Sequence, residues 1–227
     1  MKEFYPIFRA CPLFSGIEEE ELTALLGCLE ARPTTFHRQE TIFSEGDPAR
    51  YVGLVLSGEV LIVREDYGGN RSIMTHLCPG QLFGESFACA GVESLPVSAV
   101  AATESTVLLM DCRRLMFSCG NACAFHHRLI FNLMRIMAGK NLLFHRKTEI
   151  ISRRTTRERL MTYLMLEAKE RGAASFTIPF DRQGLADYLE VDRSGLSAEI
   201  GKLRKEGLLA SRKSSFTLLP PFFSSGR

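Results

Sequence analysis

The sequence of 227 residues is long enough for two domains of ordinary size, and its 45% of hydrophobic residues supplies ample core material. No stretch approaches the roughly 18 apolar residues of a membrane span, and the first residues carry too many charges for a signal peptide, so we expect a soluble cytoplasmic protein. The net charge of +2 conceals an asymmetry: residues 153–227 hold 14 basic and 9 acidic side chains, whereas residues 1–152 hold 14 and 17. A basic carboxyl-terminal third favours an anionic partner.

The seven cysteines do not follow a disulfide framework or a zinc ribbon, because their number is odd and no C-x-x-C pair occurs. Cys119 and Cys123 are four residues apart and would share one helix face, so a metal or redox pair is an alternative there to buried free thiols. We predict no metal site.

The amino-terminal half predicts one helix followed by many short strands. Residues 15–30 carry acidic side chains after Ser15-Gly16 and then a leucine stripe, which is the pattern of a helix with a favourable first turn. From about residue 34 to residue 112, apolar and polar residues alternate in short runs between glycine-containing turns. Many short strands at regular spacing are typical of a barrel or a sandwich.

Residues 121–152 change to helical periodicity. Seven residues follow a four-three spacing, which is the seam of a two-helix coiled coil, so we expect a dimer interface. An asparagine at one seam position sets register and oligomeric state at some cost in stability. The alternative is a helix that packs only on its own domain. The seam residues are Ile130, Met134, Met137, Asn141, Phe144, Thr148 and Ile151.

From residue 155 onward the pattern predicts a helix, a short strand, two helices in close succession and a strand pair. TTRERLMTYLMLEAKERG is amphipathic and ends at Gly172, and FTIPF has the composition of a strand. RQGLADYL and DRSGLSAEIGKLRKEG are separated only by Glu190 and Val191, and Asp192 is a good N-cap for the second helix. LLASRKSSFTLL predicts a strand, a basic turn and a strand.

Two helices joined by so short a turn, followed by a basic hairpin, predict a winged helix-turn-helix that binds DNA. In this motif the second helix lies in the major groove with its first residues at the base edges. We expect Arg193 to contact a guanine or a phosphate, and Ser194 and Ser197 to donate to a base or a phosphate. The remaining basic residues suit phosphate contacts, which add affinity without sequence information. They are Lys202 and Arg204 on the helix and Arg212 and Lys213 in the wing.

This segment, with the preceding TTRERLMTYL, resembles the winged helix of the CRP–FNR family of bacterial transcription regulators. Upstream, GDPARYVGLVLSGEVLIV and PGQLFGESF resemble that family's cyclic-nucleotide-binding β-roll, in the same order. The resemblance implies an α+β chain with a jelly-roll-like β-roll sensor over residues 1–120, a dimerisation helix over 121–152 and a winged helix-turn-helix over 153–227. It also implies a homodimer that binds a double-stranded DNA operator, works with RNA polymerase and responds to an effector at the β-roll.

The second helix departs from the best-known members of that family, which present an Arg-Glu pair and a second Arg one turn later. Arg193 matches the first Arg, but Ser194 stands at the position of the Glu and Ala198 at that of the later Arg. We therefore expect base readout to differ from the family's familiar operator.

The effector loop departs further. In the family's cyclic-nucleotide binders a Gly-Glu pair opens the loop, the Glu holding the ribose hydroxyl, and an Arg-Ser pair closes it, the Arg pairing with the cyclic phosphate. Gly84-Glu85 matches the opening pair, whereas Pro96-Val97 stands at the closing position. The predicted pocket comprises Gly84, Glu85, Ser86, Pro96, Val97 and Ser98, with apolar Leu143 and Phe144 of the long helix near its wall.

No Lys or Arg occurs from residue 72 to residue 112. A phosphate without its charge-assisted partner binds more weakly by several kcal/mol, so we expect the effector not to be cyclic AMP. The alternatives are an apolar or weakly polar small molecule, haem or another metal cofactor near His76, Cys78 and Cys89, and a loop that has become structural. An iron–sulfur sensor is disfavoured, because only Cys11 and Cys28 lie near the amino terminus.

Two other functional classes contrast with a regulator. A cupin-like metal-dependent enzyme gathers several histidines on its strands, but only His37 and His76 of the five histidines lie in the strand region. No Ser-His-Asp arrangement, glycine-rich phosphate loop or HExxH motif occurs. A ligand-binding regulatory subunit needs no basic wing. We therefore expect a DNA-binding regulator and not an enzyme.

Overall fold

The computed structural model describes residues 2–65, 71–116 and 124–220. The chain divides into two compact units, Met1–Gly139 and Lys140–Arg227, and the boundary lies inside one long helix. The predicted pair Cys119 and Cys123 lies outside the described residues. Among the residues that are described, no helix combines the length and the apolar character needed to cross a bilayer.

The first unit opens with short helical segments: a 3₁₀ turn at Lys2–Phe4, helix α1 at Tyr5–Ala10, a 3₁₀ turn at Pro12–Phe14 and helix α2 at Glu19–Cys28. Helix α2 begins later than Ser15-Gly16 suggested. Its N-cap is Glu18, whose backbone amide donates to the Glu21 carboxylate at 3.0 Å. Gly16 instead takes a φ of 72°, a left-handed conformation that turns the chain ahead of the helix.

Two antiparallel sheets then form the β-roll. One sheet has the order β1 (Arg32–Phe36), β8 (Ser105–Asp111), β3 (Tyr51–Ser57) and β6 (Leu82–Phe83). The other has the order β2 (Thr41–Phe43), β7 (Ser98–Ala101), β4 (Val60–Glu65) and β5 (Arg71–Leu77). Strands β3 and β4, consecutive along the chain, belong to different sheets. Gly58, at a φ of 75°, makes the turn between them, and a Cβ there would collide with the carbonyl of Glu104.

Apolar side chains fill the interior between the sheets. Phe83 lies against Gly53, where any Cβ would strike its ring, and it packs on Phe43 with ring centroids 5.5 Å apart. Helix α3 (Glu85–Ala90) lies between β6 and β7, and helices α4 (Cys112–Met116) and α5 (Ala124–Ile151) follow β8 in the chain. The interior cluster consists of Phe43, Val55, Val60, Leu77, Phe83, Leu95, Ala99 and Val107.

The second unit contains the end of α5, helix α6 (Thr156–Arg171), strand β9 (Ser175–Thr177), helices α7 (Arg182–Leu189) and α8 (Arg193–Lys205), and strands β10 (Leu209–Arg212) and β11 (Ser215–Leu218). The three strands pair in the order β10–β11–β9. Thr155 caps α6 by accepting from the Glu158 amide, and Gly172 ends the helix in a left-handed conformation, as its position in the sequence predicted.

Charged side chains join the end of α5 to the other helices of this unit. Arg146 Nη2 lies 2.6 Å from a Glu167 oxygen, and Arg171 Nη2 lies 2.6 Å from the other oxygen of the same carboxylate. The Lys147 ammonium lies 3.2 Å from Glu190 and 4.7 Å from the centre of the Tyr188 ring. The last two turns of α5 are thereby fixed to α6 and α7. The predicted α+β architecture of β-roll, long helix and winged helix-turn-helix is confirmed.

Candidate DNA-binding and effector sites

Helix α8 has one fully buried face and one exposed face. Leu196, Ile200 and Leu203 are no more than 4% exposed and share a core with Leu185 and Leu189 of α7. The small side chain of Ala186, which is also fully buried, suits a close crossing of the two helices. Burial of one face fixes which side chains of α8 point away from the unit. The exposed predicted contact residues are Arg193, Ser194, Ser197, Lys202 and Arg204.

Asp192 holds the start of this helix. Its carboxylate accepts from the Gly195 amide at 2.8 Å and from the Ser194 hydroxyl. These hydrogen bonds, the one from Ser194 first, lower the pKa of Asp192. The Ser194 hydroxyl therefore donates its proton to the Asp192 carboxylate, and only its oxygen lone pairs remain free to accept a hydrogen bond. Arg193 and Ser197 remain as the exposed donors of the first turns.

Lys202 differs from the other basic residues of the surface in its surroundings. Its ammonium lies 3.5 Å from Glu199, and the same carboxylate also receives Arg157 at 3.6 Å. Arg157 is further engaged with Glu206. A phosphate that binds Lys202 therefore competes with Glu199, which lowers the net gain from that contact.

The wing carries its two basic residues at the tip of the hairpin. Arg212 ends β10, Lys213 begins the turn at a φ of 53°, and both side chains are exposed. Ser214 donates to the carbonyl of Phe180 at 2.8 Å, which anchors the turn to the segment ahead of α7. The wing, α7 and α8 thus form one packed unit with the predicted basic residues at its surface.

The effector loop is helical at its start. Gly84, at a φ of 77°, precedes α3, and a Cβ there would come within 2.9 Å of the Tyr51 carbonyl oxygen. Glu85 is the first residue of α3 and is only 2% exposed, and Ser86 donates to it at 3.2 Å. The sequence suggested a loop here, because a run of small residues such as Ala88 carries no helical stripe.

The closing segment of the loop is tied to a neighbouring turn. The Leu95 amide donates to the Asp47 carbonyl at 2.8 Å, and the Gly46 amide donates to the Leu95 carbonyl at 2.9 Å. Ser98, at the start of β7, accepts from the Glu45 amide at 2.9 Å. Between them Pro96 is exposed and Val97 is half-buried. Backbone hydrogen bonds and the Ser98 hydroxyl thus hold the segment where the resemblance calls for an Arg-Ser pair whose Arg contacts the phosphate.

The predicted seam residues lie on α5 with several apolar side chains exposed. Met134 and Phe144 are 63% and 71% exposed, while Ile130, Met137 and Ile151 are half-buried. Asn141 and Thr148 are exposed, and the Thr148 hydroxyl donates to the Phe144 carbonyl at 2.9 Å. Leu143, predicted with Phe144 for the pocket wall, is 66% exposed and belongs to the second unit.

His76, Cys78 and Cys89, named above as one alternative for a haem or metal cofactor, do not form a ligand group in the described residues. His76 Nε2 lies 3.0 Å from Glu59, and Cys78 is exposed. Cys89 instead neighbours Cys112, at 3.7 Å between the sulfur atoms. Within the described ranges, no three His, Cys, Asp or Glu side chains come together in a way that would hold a metal ion.

A cleft of about 700 Å³ adjoins the far end of α3, away from Gly84. Arg50 lies at its edge, with its guanidinium 2.7 and 2.6 Å from Asp111. Burial opposes ionisation of Asp111, but hydrogen bonds from Arg50 and the Arg113 amide outweigh it and lower the pKa. The sequence did not reveal this cleft, because its walls come from three separate segments. The residues that line the cleft are Pro48, Ala49, Arg50, Ala88, Cys89, Gly91, Val92, Glu93, Cys112, Arg113 and Met116.

Comparison with known protein families agrees with this geometry. Residues 33–116 match the cyclic nucleotide-binding domain, and residues 158–221 match the Crp-like helix-turn-helix domain. The chain belongs to the CRP–FNR family. Two domains of these types, with relatives that regulate transcription, identify a DNA-binding transcription regulator of this family and not an enzyme.

Relatives in the family have different names and span most of the chain. The "Cyclic AMP receptor protein" of Thermus thermophilus is 26% identical over 199 residues, which cover 87% of this chain and 82% of the relative. The "Nitrogen fixation regulation protein FixK" of Azorhizobium caulinodans is 27% identical over 197 residues, with 82% and 75% coverage. The c-di-GMP responsive regulator CLP of Xanthomonas campestris has a similar fold, with a TM-score of 0.50, 20% identity and 86% and 98% coverage.

Proposed function

We propose that this CRP–FNR family member is a homodimeric, sequence-specific DNA-binding regulator whose β-roll responds to a small-molecule, redox or gas effector other than cyclic AMP. The observation that carries the DNA-binding part is the exposed first half of α8. There, Arg193 and Ser197 project from a helix whose opposite face is buried in the same core as α7. A rigid helix that presents donors at its amino-terminal turns is what readout of the major groove requires.

The dimer is supported by the apolar side chains that α5 leaves exposed. Met134 and Phe144 are each more than 60% exposed, and both belong to the four-three seam. A second copy of the helix would bury them. A two-fold dimer places two recognition helices about one helical turn of DNA apart, so the proposed operator is nearly palindromic. Transcriptional control then involves RNA polymerase as a further proposed partner.

The effector is proposed not to be cyclic AMP because the closing segment carries no cation. Pro96 and Val97 stand where the resemblance calls for Arg-Ser, and the neighbouring turn uses the backbone of that segment. The names of the relatives do not decide this point, since one is named for cyclic AMP and another for nitrogen fixation.

The test of DNA binding is selection of sequences from a random duplex library by the purified full-length protein. We expect a nearly palindromic consensus. Arg193→Ala should remove the sequence preference and leave weak, salt-sensitive binding, whereas Arg38→Ala, an exposed arginine of the first unit, should leave both unchanged. Absence of specific retention at moderate salt, with and without cell extract, would refute the proposal.

The test of the dimer is the native mass of the protein and its variants. A double substitution Met134→Glu and Phe144→Glu places four carboxylates in the proposed seam and should give a monomer. Ile73→Glu, at an equally exposed apolar residue of β5 (63%), is the matched control and should remain dimeric. A wild-type monomer at micromolar concentration would contradict the proposal.

The test of the effector is the melting temperature of the protein with and without cyclic AMP. Cyclic AMP should leave the melting temperature unchanged, and a rise of several degrees at micromolar ligand would overturn the proposal that the effector is not cyclic AMP.

A further inference from the structure

Two cysteines from different helices meet in the first unit. Cys89 lies near the end of α3 and Cys112 begins α4, and their sulfur atoms are 3.7 Å apart. The pairing is held by the surrounding structure, since the Cys112 amide donates to the Arg50 carbonyl at 2.9 Å and β8 leads directly into α4. The sulfur atoms need to approach by only about 1.7 Å to reach the length of a disulfide bond.

The pair is open to small molecules from one side. Both thiols line the cleft of about 700 Å³ described above, and Cys89 is half-buried whereas Cys112 is 6% exposed. Arg50 and Arg113 line the same cleft with Glu93. Its volume is large enough for a small peptide, and Arg113 suits a carboxylate of the reagent, since the Arg50 guanidinium already pairs with Asp111.

We propose that Cys89 and Cys112 form a redox-active dithiol that a low-molecular-weight disulfide of the glutathione type converts to an intramolecular disulfide. The reaction is a property of the first unit and requires neither DNA binding nor dimerisation, so it stands or falls separately from the proposed function.

The reaction proceeds by two exchanges. The thiolate of Cys89, which is the more exposed sulfur, attacks one sulfur of glutathione disulfide and releases one glutathione as its thiolate. The thiolate of Cys112 then attacks the Cys89 sulfur of the mixed disulfide and releases the second glutathione. The two cysteines lose two electrons and two protons, and the two glutathione molecules receive both.

Burial determines how readily the pair reacts. Burial, and next the charge of neighbouring Cys112, raise the pKa of the Cys89 thiol to about 12, and burial also raises the pKa of Cys112. Both residues are therefore thiols at neutral pH, and the reduced pair reacts slowly with oxidants because little thiolate is present. Because the thiolate attacks, the rate of disulfide formation should rise about tenfold for each pH unit between neutral pH and about pH 9.

The disulfide would connect the effector loop to the end of the roll. Helix α3 begins at Glu85, directly after Gly84, and α4 continues from β8. A bond between Cys89 and Cys112 fixes the end of α3 to the start of α4, so any movement of α3 that accompanies ligand binding would be restricted in the oxidised protein.

The experiment treats reduced, desalted full-length protein with glutathione disulfide and maps its peptides by mass spectrometry without reduction. We expect a peptide pair linked through Cys89 and Cys112 of the same chain. We also expect the melting temperature to rise by about 5 °C or more. Both readouts use the wild-type chain. A product that carries only glutathione adducts at exposed Cys28 and Cys78, or a linkage between Cys119 and Cys123 alone, would overturn the proposal.

Variants sharpen the assignment. Cys112→Ser should stop the reaction at a mixed disulfide on Cys89, because the second thiol is missing. Cys28→Ser, at an exposed cysteine of α2, is the matched control and should form the linkage at the wild-type rate. If Cys112→Ser shows the same rise in melting temperature after treatment with glutathione disulfide, that result would also contradict the proposal.

Discussion

Removing the two charges at the tip of the wing should weaken DNA binding without changing the preferred sequence. The variant is Arg212→Gln with Lys213→Asn. Asparagine is chosen because Lys213 has a φ of 53°, which asparagine tolerates better than most residues. The Ser214 hydroxyl bond to Phe180 is untouched, so the hairpin should keep its position.

The size of the effect follows from counterion release. Each lost phosphate contact lowers the slope of log affinity against log salt by about 0.9 for duplex DNA. Two charges in each protomer of the proposed dimer give four contacts, so the slope should fall by about 3.6. The ratio of specific to non-specific affinity should stay constant, because phosphate contacts carry no sequence information.

Fluorescence anisotropy with a labelled operator and a scrambled duplex measures both quantities between about 50 and 200 mM salt. The control is Arg38→Gln with Arg64→Gln, which removes the same charge from exposed positions of the first unit and should leave the slope unchanged. A wing variant with an unchanged slope, or one with an altered sequence preference, would refute the assignment of these residues to phosphates.

Three further predictions concern stability. Leu189→Ala, at a fully buried position of α7, should lower the free energy of unfolding of the second unit by about 2–5 kcal/mol in urea titrations; a loss below about 1 kcal/mol would contradict its place in the core. Gly53→Ala should destabilise the first unit by about 1–3 kcal/mol in the same assay because of the Phe83 ring, whereas Gly27→Ala, in open space on α2, should be neutral or stabilising. The pKa of Asp111 is lowered in the folded protein, so its pairing with Arg50 stabilises the fold at pH values above the ordinary aspartate pKa of about 4. This stabilisation is lost as the pH falls below that value and Asp111 becomes protonated. In acid titrations followed by circular dichroism, the stability of Asp111→Asn should therefore decrease less with falling pH than that of the wild-type protein.

The parts of the fold that local chemistry specifies could be predicted from the sequence. Asp192 caps α8 because its side chain reaches the free amides of the first turn, and that preference is legible in the sequence. Gly172 ends α6 for a similarly local reason, the left-handed conformation. The four-three spacing on α5 stays a prediction, because exposure of single side chains does not follow it closely: Met134 and Phe144 are exposed, but so is Leu142 outside the seam.

Features that depend on chain closure could not be predicted. Cys89 and Cys112 are 23 residues apart, and only the return of β7 and β8 brings them together. Arg50 approaches Asp111 across 61 residues through the pairing of β3 with β8. Helix α3 was missed for a different reason: its six residues are too few to establish a periodicity, and its formation depends on the positive φ of Gly84.

Helix α5 has a practical consequence for anyone who wishes to express either half alone. Its 28 residues are continuous over about 42 Å, and they supply side chains to two separate hydrophobic cores. Leu129 and Leu133 belong to the core of the first unit, and Ile150 belongs to that of the second. A sensor fragment that ended at residue 120 would lose two fully buried leucines, and a DNA-binding fragment that began at residue 153 would lose a buried isoleucine. Fragments divided near Gly139 should retain both cores and be the more soluble products.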